Sequence, residues 1–169
     1  TSSISRYFKS ENIKISVDTI LSYLKNIEDA ILIYRVPRND LEGKRILKTE
    51  EKYFIADHGI REAIIGSNTS RIELILKNIV FIELKRRRYD VYVGKVGDRE
   101  VDFVAIKDNK FSYYQVSYLM ENEDTRNREF ASLKDIKDNY PKYVLTMDQV
   151  DFSKDGIIHL NIVDFLLSK

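Results

Sequence analysis

Apolar residues recur at helical spacing near the start of the chain. Ile4, Tyr7 and Phe8 line one face of a short helix, and Val17, Ile20, Leu21, Leu24 and Ile27 line a second, with Ser16 placed as its N-cap. Residues 31–36 then read as extended, 37–43 as a break opened by Pro37, and 45–49 and 52–56 as the returning arm of a hairpin. Helix, turn, helix and hairpin in that order predict a winged-helix-like portion with the hairpin as its wing. Asp57 stands as the cap of another short helix through Ile65. The run Gly66-Ser67-Asn68 breaks two helical patterns and divides the chain into residues 1–66 and 67–169.

The second part opens with a helix from Ser70 to about Arg88, on which Ile72, Ile75, Leu76, Ile79, Val80, Ile82 and Leu84 form a broad buried stripe. Three strands follow at 90–95, 100–107 and 111–119, separated by tight turns at Gly97-Asp98 and Asp108-Asn109. Period two puts Phe111, Tyr113, Gln115 and Ser117 on one face of the third strand, and Ser112, Tyr114, Val116 and Tyr118 on the other. A helix at 124–138 carries Phe130, Leu133 and Ile136 and stops before Pro141. A strand at 142–146, a polar loop, a strand at 157–160 and a terminal helix at 162–167 complete the pattern. The fold class is mixed α/β, with a sheet covered on its faces and an α-βββ-α-β order in the second part.

Composition narrows the chemistry. The chain has 169 residues, 28 basic and 27 acidic, for a net charge of +1 at pH 7. No global field draws it to polyanions, so any such contact is local. It has no cysteine and two histidines, which excludes disulfides, iron–sulfur clusters, cysteine nucleophiles and structural zinc sites. No apolar run approaches the roughly 20 residues of a membrane helix, so a membrane partner is not expected and the cytoplasm is the expected compartment. The sequence starts at Thr1 without a methionine, which suggests a piece of a longer polypeptide. Gly43-Lys44 is followed by Arg45 and lacks the upstream glycine of a phosphate loop. ATP would be used only through an upstream domain, and no cofactor is expected in this fragment itself.

Two basic clusters are candidates for phosphate contact. One is the hairpin, with Arg38, Lys44 and Arg45, and the other is the end of the long helix, with Lys85, Arg86 and Arg87. The helix-end run also complements the helix dipole, which is its simpler use. The second helix is a poor groove reader, because Asp18, Lys25, Glu28 and Asp29 sum to −2. His58 lies beside the cap Asp57 with no second histidine or cysteine nearby, and reads as structural.

The order of helix, three strands, helix and strand, with Asp102 on the middle strand, resembles the common core of PD-(D/E)xK nucleases. That resemblance implies a divalent metal, Mg2+, held by an acid on one strand and an acid-x-Lys triplet on the next. Here the triplet position reads Gln115-Val116-Ser117, and Lys77 stands where the long helix would carry a further glutamate. Asp102, Glu83, Gln115 and Ser117 are thus the candidate catalytic positions of a degenerate site, and Asp102 the candidate metal ligand.

A wider resemblance rests on five stretches taken in order: Tyr53-Phe54-Ile55-Ala56-Asp57-His58-Gly59-Ile60, Asn78-Ile79-Val80-Phe81-Ile82-Glu83-Leu84-Lys85-Arg86-Arg87, Glu100-Val101-Asp102-Phe103-Val104-Ala105, Tyr114-Gln115-Val116-Ser117-Tyr118 and Asp138-Asn139-Tyr140-Pro141-Lys142-Tyr143-Val144-Leu145-Thr146. Together they are similar to the uncharacterised C-terminal domain that follows an AAA+-type P-loop ATPase module in many bacterial and archaeal proteins. The resemblance implies a winged-helix portion joined to a nuclease-like domain. Its partners would be the ATPase module of the same chain and a DNA or protein partner. The expected function is a non-catalytic accessory region of such an ATPase; the alternative is a Mg2+-dependent DNA endonuclease built on Asp102 with help from Glu83.

Overall fold

Local signals start most of the elements where the sequence places them. The computed structural model describes residues 2–66 and 71–168, so Ser67, Asn68 and Ser70, where a domain break and a helix start were expected, lie outside the described residues. Helix α1 spans Ser2–Ser10 and α2 Val17–Asp29, the latter capped by Ser16, whose Oγ accepts the Thr19 N–H at 3.0 Å. Strands β1 (Ile33–Asp40) and β2 (Arg45–Ile55) form the hairpin. Asp57 caps α3 (His58–Ile65) by accepting the Gly59 N–H at 2.6 Å. Then come α4 (Ile72–Arg86), β3 (Asp90–Val96), β4 (Arg99–Lys107) and β5 (Lys110–Val116). Helix α5 (Glu123–Lys134), β6 (Lys142–Thr146), β7 (Ile157–Asn161) and α6 (Ile162–Leu167) close the chain.

The expected break at residue 37 is absent. Strand β1 continues through Pro37 because the β1–β2 register shifts between Val36 and Arg38, and an irregularity there relieves the ladder of a donor that proline lacks. Helix α5 ends at Lys134, four residues short of the expected end, and Asp138 is left free to bind side chains and backbone in the following loop.

All seven strands of the described residues join one sheet in the order β2-β1-β3-β4-β5-β6-β7. The hairpin is therefore not a projecting wing. Strand β1 pairs in parallel with β3 through Arg38, Asn39 and Asp40, and β2 forms the outer edge. Strands β3, β4 and β5 make the antiparallel meander, and β6 and β7 add in parallel.

Helices cover both faces. On one, α4 and α6 bury Phe81, Leu84, Ile162 and Phe165 against Val36, Val93, Phe103, Tyr114 and Leu145. On the other, α5 sets Phe130 and Leu133 against Val101, Val104, Tyr113 and Val144. The ring of Phe81 stacks on Phe54 of the hairpin with centroids 4.5 Å apart, so residues on both sides of the expected boundary share one core. Asn78 of α4 adds a polar tie, accepting the Ile55 N–H at 2.9 Å and donating to its carbonyl at 3.0 Å.

The α1–α2 pair is packed lightly. Of the five apolar positions expected to be buried on α2, only Ile20 is, while Val17, Leu21 and Ile27 remain exposed. No helix among the described residues is long and apolar enough to cross a membrane.

Candidate functional site

A β-bulge builds the centre of the site. Tyr92 pairs with Val104 and Gly94 with Val101, so Val93 alone faces two residues of β4, Asp102 and Phe103. The extra residue turns Asp102 and Phe103 to the same side of the sheet, toward α4, while Val101 and Val104 pack on the α5 side. Gly94 is required by this arrangement. A Cβ there would stand 2.8 Å from the Val101 Cβ and 2.9 Å from Val104 Cγ2, closer than any side chain tolerates.

Asp102 is 4% exposed, and both of its oxygens are engaged. Oδ1 accepts from the Lys77 ammonium at 2.6 Å, and Oδ2 accepts the Val116 N–H of β5 at 2.9 Å. The Asp102 N–H in turn donates to Gln115 Oε1 at 3.2 Å. Side chains thereby replace the backbone ladder where β4 and β5 separate.

Burial pushes the Asp102 carboxyl up, opposed by the charge and hydrogen bond of Lys77. Burial also acts to lower the Lys77 pKa, but Asp102, with Glu129 and Glu100 beyond it, prevails and raises it above the ordinary lysine value. With two donors on its oxygens and a firmly cationic partner, Asp102 is held as a carboxylate.

On the opposite face, Gln115 Nε2 donates to Glu129 Oε2 at 3.0 Å, and Arg128 closes on Glu129 Oε1 at 3.0 Å. The Ser132 hydroxyl lies 3.5 Å from Gln115 Oε1. Glu129, Arg128 and Ser132 are members of the site that the sequence reading missed. Their signal was faint: a glutamate four residues before Leu133 shares the apolar side of α5 and is pulled inside with it.

The other expected positions separate. Glu83 does not join Asp102. Six residues beyond Lys77 on a helix, it lies about 240° further round and about 9 Å along the axis. Its oxygens are taken by Arg86 at 2.7 Å and Arg87 at 2.6 Å. Hydrogen bonds from Arg86 and then Arg87 hold its carboxyl below the usual range despite burial. Ser117 is buried, donates its N–H to the Leu145 carbonyl at 3.0 Å, and has no partner for its hydroxyl among the described residues.

Of the basic candidates, Arg38 pairs with Glu100 at 2.9 Å, and Lys52 binds the same carboxylate. Arg87 packs over the Phe165 ring at 4.4 Å and donates to the Ser168 carbonyl, pinning α6 to α4. Lys85 donates to the Tyr89 carbonyl at 3.3 Å, just beyond the end of α4, and Arg86 remains exposed beside Glu83. Lys44 and Arg45 remain at the hairpin turn, Arg45 lying 3.5 Å from Asp40.

A divalent metal does not fit these residues. Asp102 already accepts two hydrogen bonds, one from a cation, and Glu129 approaches from the other face with Gln115 between them. Among the described residues no three carboxylate or imidazole groups converge on a metal-sized site. His159 is also spoken for. Its Nδ1 accepts the Phe152 N–H at 3.3 Å, its Nε2 lies 2.8 Å from Thr146 Oγ1, and burial lowers its pKa, so it serves as a neutral link inside the β6–β7 connection.

No family model matches the chain, and no solved structure matches it. It is 42% identical over 168 residues to an uncharacterised protein of Haemophilus influenzae, an alignment that covers 98% of this chain and 41% of that protein. To an uncharacterised protein of Methanocaldococcus jannaschii it is 31% identical over 161 residues, covering 89% of this chain and 35% of the other. The chain thus spans about two fifths or less of the length of the curated relatives it matches.

Proposed function

We propose that this chain is a non-catalytic accessory module of an AAA+-type ATPase polypeptide, a nuclease-like sheet with a winged-helix-derived N-terminal portion that binds a nucleic-acid or protein partner. The observation that carries the proposal is the Lys77–Asp102 ion pair at 2.6 Å. A phosphodiesterase centre of this kind needs carboxylates converging on an open cation site. Here an ammonium on the protein's own helix satisfies the one carboxylate in the matching position, and the neutral Gln115 occupies the next. Alignment with less than half of two longer relatives supports work inside a larger polypeptide.

The test is incubation of the purified protein with single- and double-stranded DNA in Mg2+ and in Mn2+, beside Asp102→Ala. Equal background in both is the expected result. Cleavage by the native chain that disappears in D102A would overturn the proposal and establish the endonuclease reading.

A further inference from the structure

We infer that the face of the sheet between the β1–β2 and β4–β5 turns binds single-stranded nucleic acid, with bases stacked on Phe111 and Tyr140 and phosphates met by Lys44 and Lys110. The inference rests on the reading of the chain as a binding module and names its ligand.

Two cavities adjoin the Phe111 and Tyr140 rings. One, of about 360 Å3, lies among Asn39, Leu41, Lys44, Tyr113 and Asp138, and the other, of about 550 Å3, among Tyr89, Lys107, Asp108, Lys110, Tyr114 and Tyr143. Phe111 and Tyr140 line both, and the first cavity reaches back to Lys44 on the β1–β2 turn. Each volume is within the range that holds a small planar ligand.

The rings are fixed in advance. Phe111 and Tyr140 have centroids 5.3 Å apart, and Tyr143 lies flat on Tyr114 at 5.0 Å and 15°. Tyr113 is buried beneath them and donates its hydroxyl to Asp138 at 2.5 Å, while the same carboxylate accepts the Tyr140 N–H at 3.1 Å. That bond sets the position of Tyr140, a residue that remains 39% exposed. Lys142 meets the Asp138 charge at 3.5 Å, so the carboxylate is compensated and does not repel a phosphate strongly.

Charge points the same way. The cations around Glu83, Glu100 and Asp102 are consumed by ion pairs. Among the described residues Lys44, Lys107 and Lys110 pair with no carboxylate, and with Asp108 and Asp138 they leave a positive balance around the two cavities. Lys107 leans on the Tyr89 ring at 5.6 Å. Interleaved rings and uncompensated lysines suit a single strand, whose bases are free to leave their stack and whose phosphates follow alongside. A duplex would keep its bases inside and leave the rings unused.

Fluorescence anisotropy with a labelled oligothymidylate and a duplex of equal length, at several salt concentrations, tests this on the intact chain. The single strand is expected to bind in preference. Tyr140→Ala, at an exposed ring, is expected to weaken binding about five- to a hundredfold, and Tyr140→Phe to retain it, because stacking needs the ring alone. Lys44→Ala and Lys110→Ala are each expected to flatten the log–log salt dependence by roughly 0.7. No binding at low salt, equal binding of the duplex, or full affinity in Y140A with an unchanged melting temperature would overturn the inference. The cleavage assay reads the non-catalytic proposal independently: lost binding without cleavage sinks only the ligand assignment, and D102A-sensitive cleavage sinks only the accessory role.

Discussion

At the Lys77–Asp102 contact, each partner is tolerable inside the protein only because of the other. Removing one charge from a buried pair leaves the second uncompensated, which costs about 3–5 kcal/mol, whereas neutralising both costs far less. Lys77→Met is therefore expected to lose about that much stability in urea unfolding. Adding Asp102→Asn should restore most of it, since the amide oxygen still accepts the Val116 N–H. The pH dependence carries a definite sign. Without Lys77 the Asp102 pKa in the folded state rises further above its unfolded value, so the folded state binds the extra proton and stability falls as pH rises through that range. The K77M deficit should consequently shrink between about pH 7 and about pH 4. A deficit that stays constant over that range would show that losing Lys77 does not raise the Asp102 pKa in the folded state.

Among the elements, the β3–β4 pair matters most for the site, because its bulge decides which way Asp102 points. Gly94 permits the bulge by leaving room for Val101 and Val104. Gly94→Ala is expected to cost about 1–3 kcal/mol, as overpacking of a tight contact does. It should also disturb the Asp102 environment, visible as shifted amide resonances at Val116 and Asp102 that a remote substitution of equal cost leaves in place. Unperturbed resonances there would mean that the strands accommodate the methyl without moving the bulge. Helix α4 is likewise set by more than its own pattern: Asn78 and Glu83 are buried on it because Ile55 and the Arg86–Arg87 pair supply their partners.

Over the whole molecule, one sheet links the two stretches that composition and spacing divide. Val36 and Phe54 from the hairpin share a cluster with Phe81 and Phe103, and Arg38 and Lys52 both reach Glu100 on β4. A core shared in this way unfolds as a unit. Urea unfolding followed by far-ultraviolet circular dichroism and by tyrosine fluorescence is expected to give coincident single transitions. Two resolved transitions would show that residues 1–66 fold independently of the rest.

Periodicity, caps and turn residues by themselves determined the elements and their order. Ser16 and Asp57 start their helices as local hydrogen-bonding chemistry requires, and alternation on β5 correctly divides Tyr113 from Tyr114 between two cores. That the triplet after Asp102 is neutral was equally legible, because Gln115 and Ser117 are plain in the sequence, whereas Glu83 stood there as a candidate second acid. What lay outside it was every relation between distant residues. That β1 would pair with β3, that a bulge would turn Asp102 toward Lys77, and that Glu83 would turn to Arg86 and Arg87 depend on strand register and helix phase in three dimensions. Glu129 reads as one more surface charge until α5 packs and brings it to Gln115. Local propensity acts over a few neighbouring residues, whereas ion pairs and ladder partners separated by tens of residues are selected only by the packed sheet.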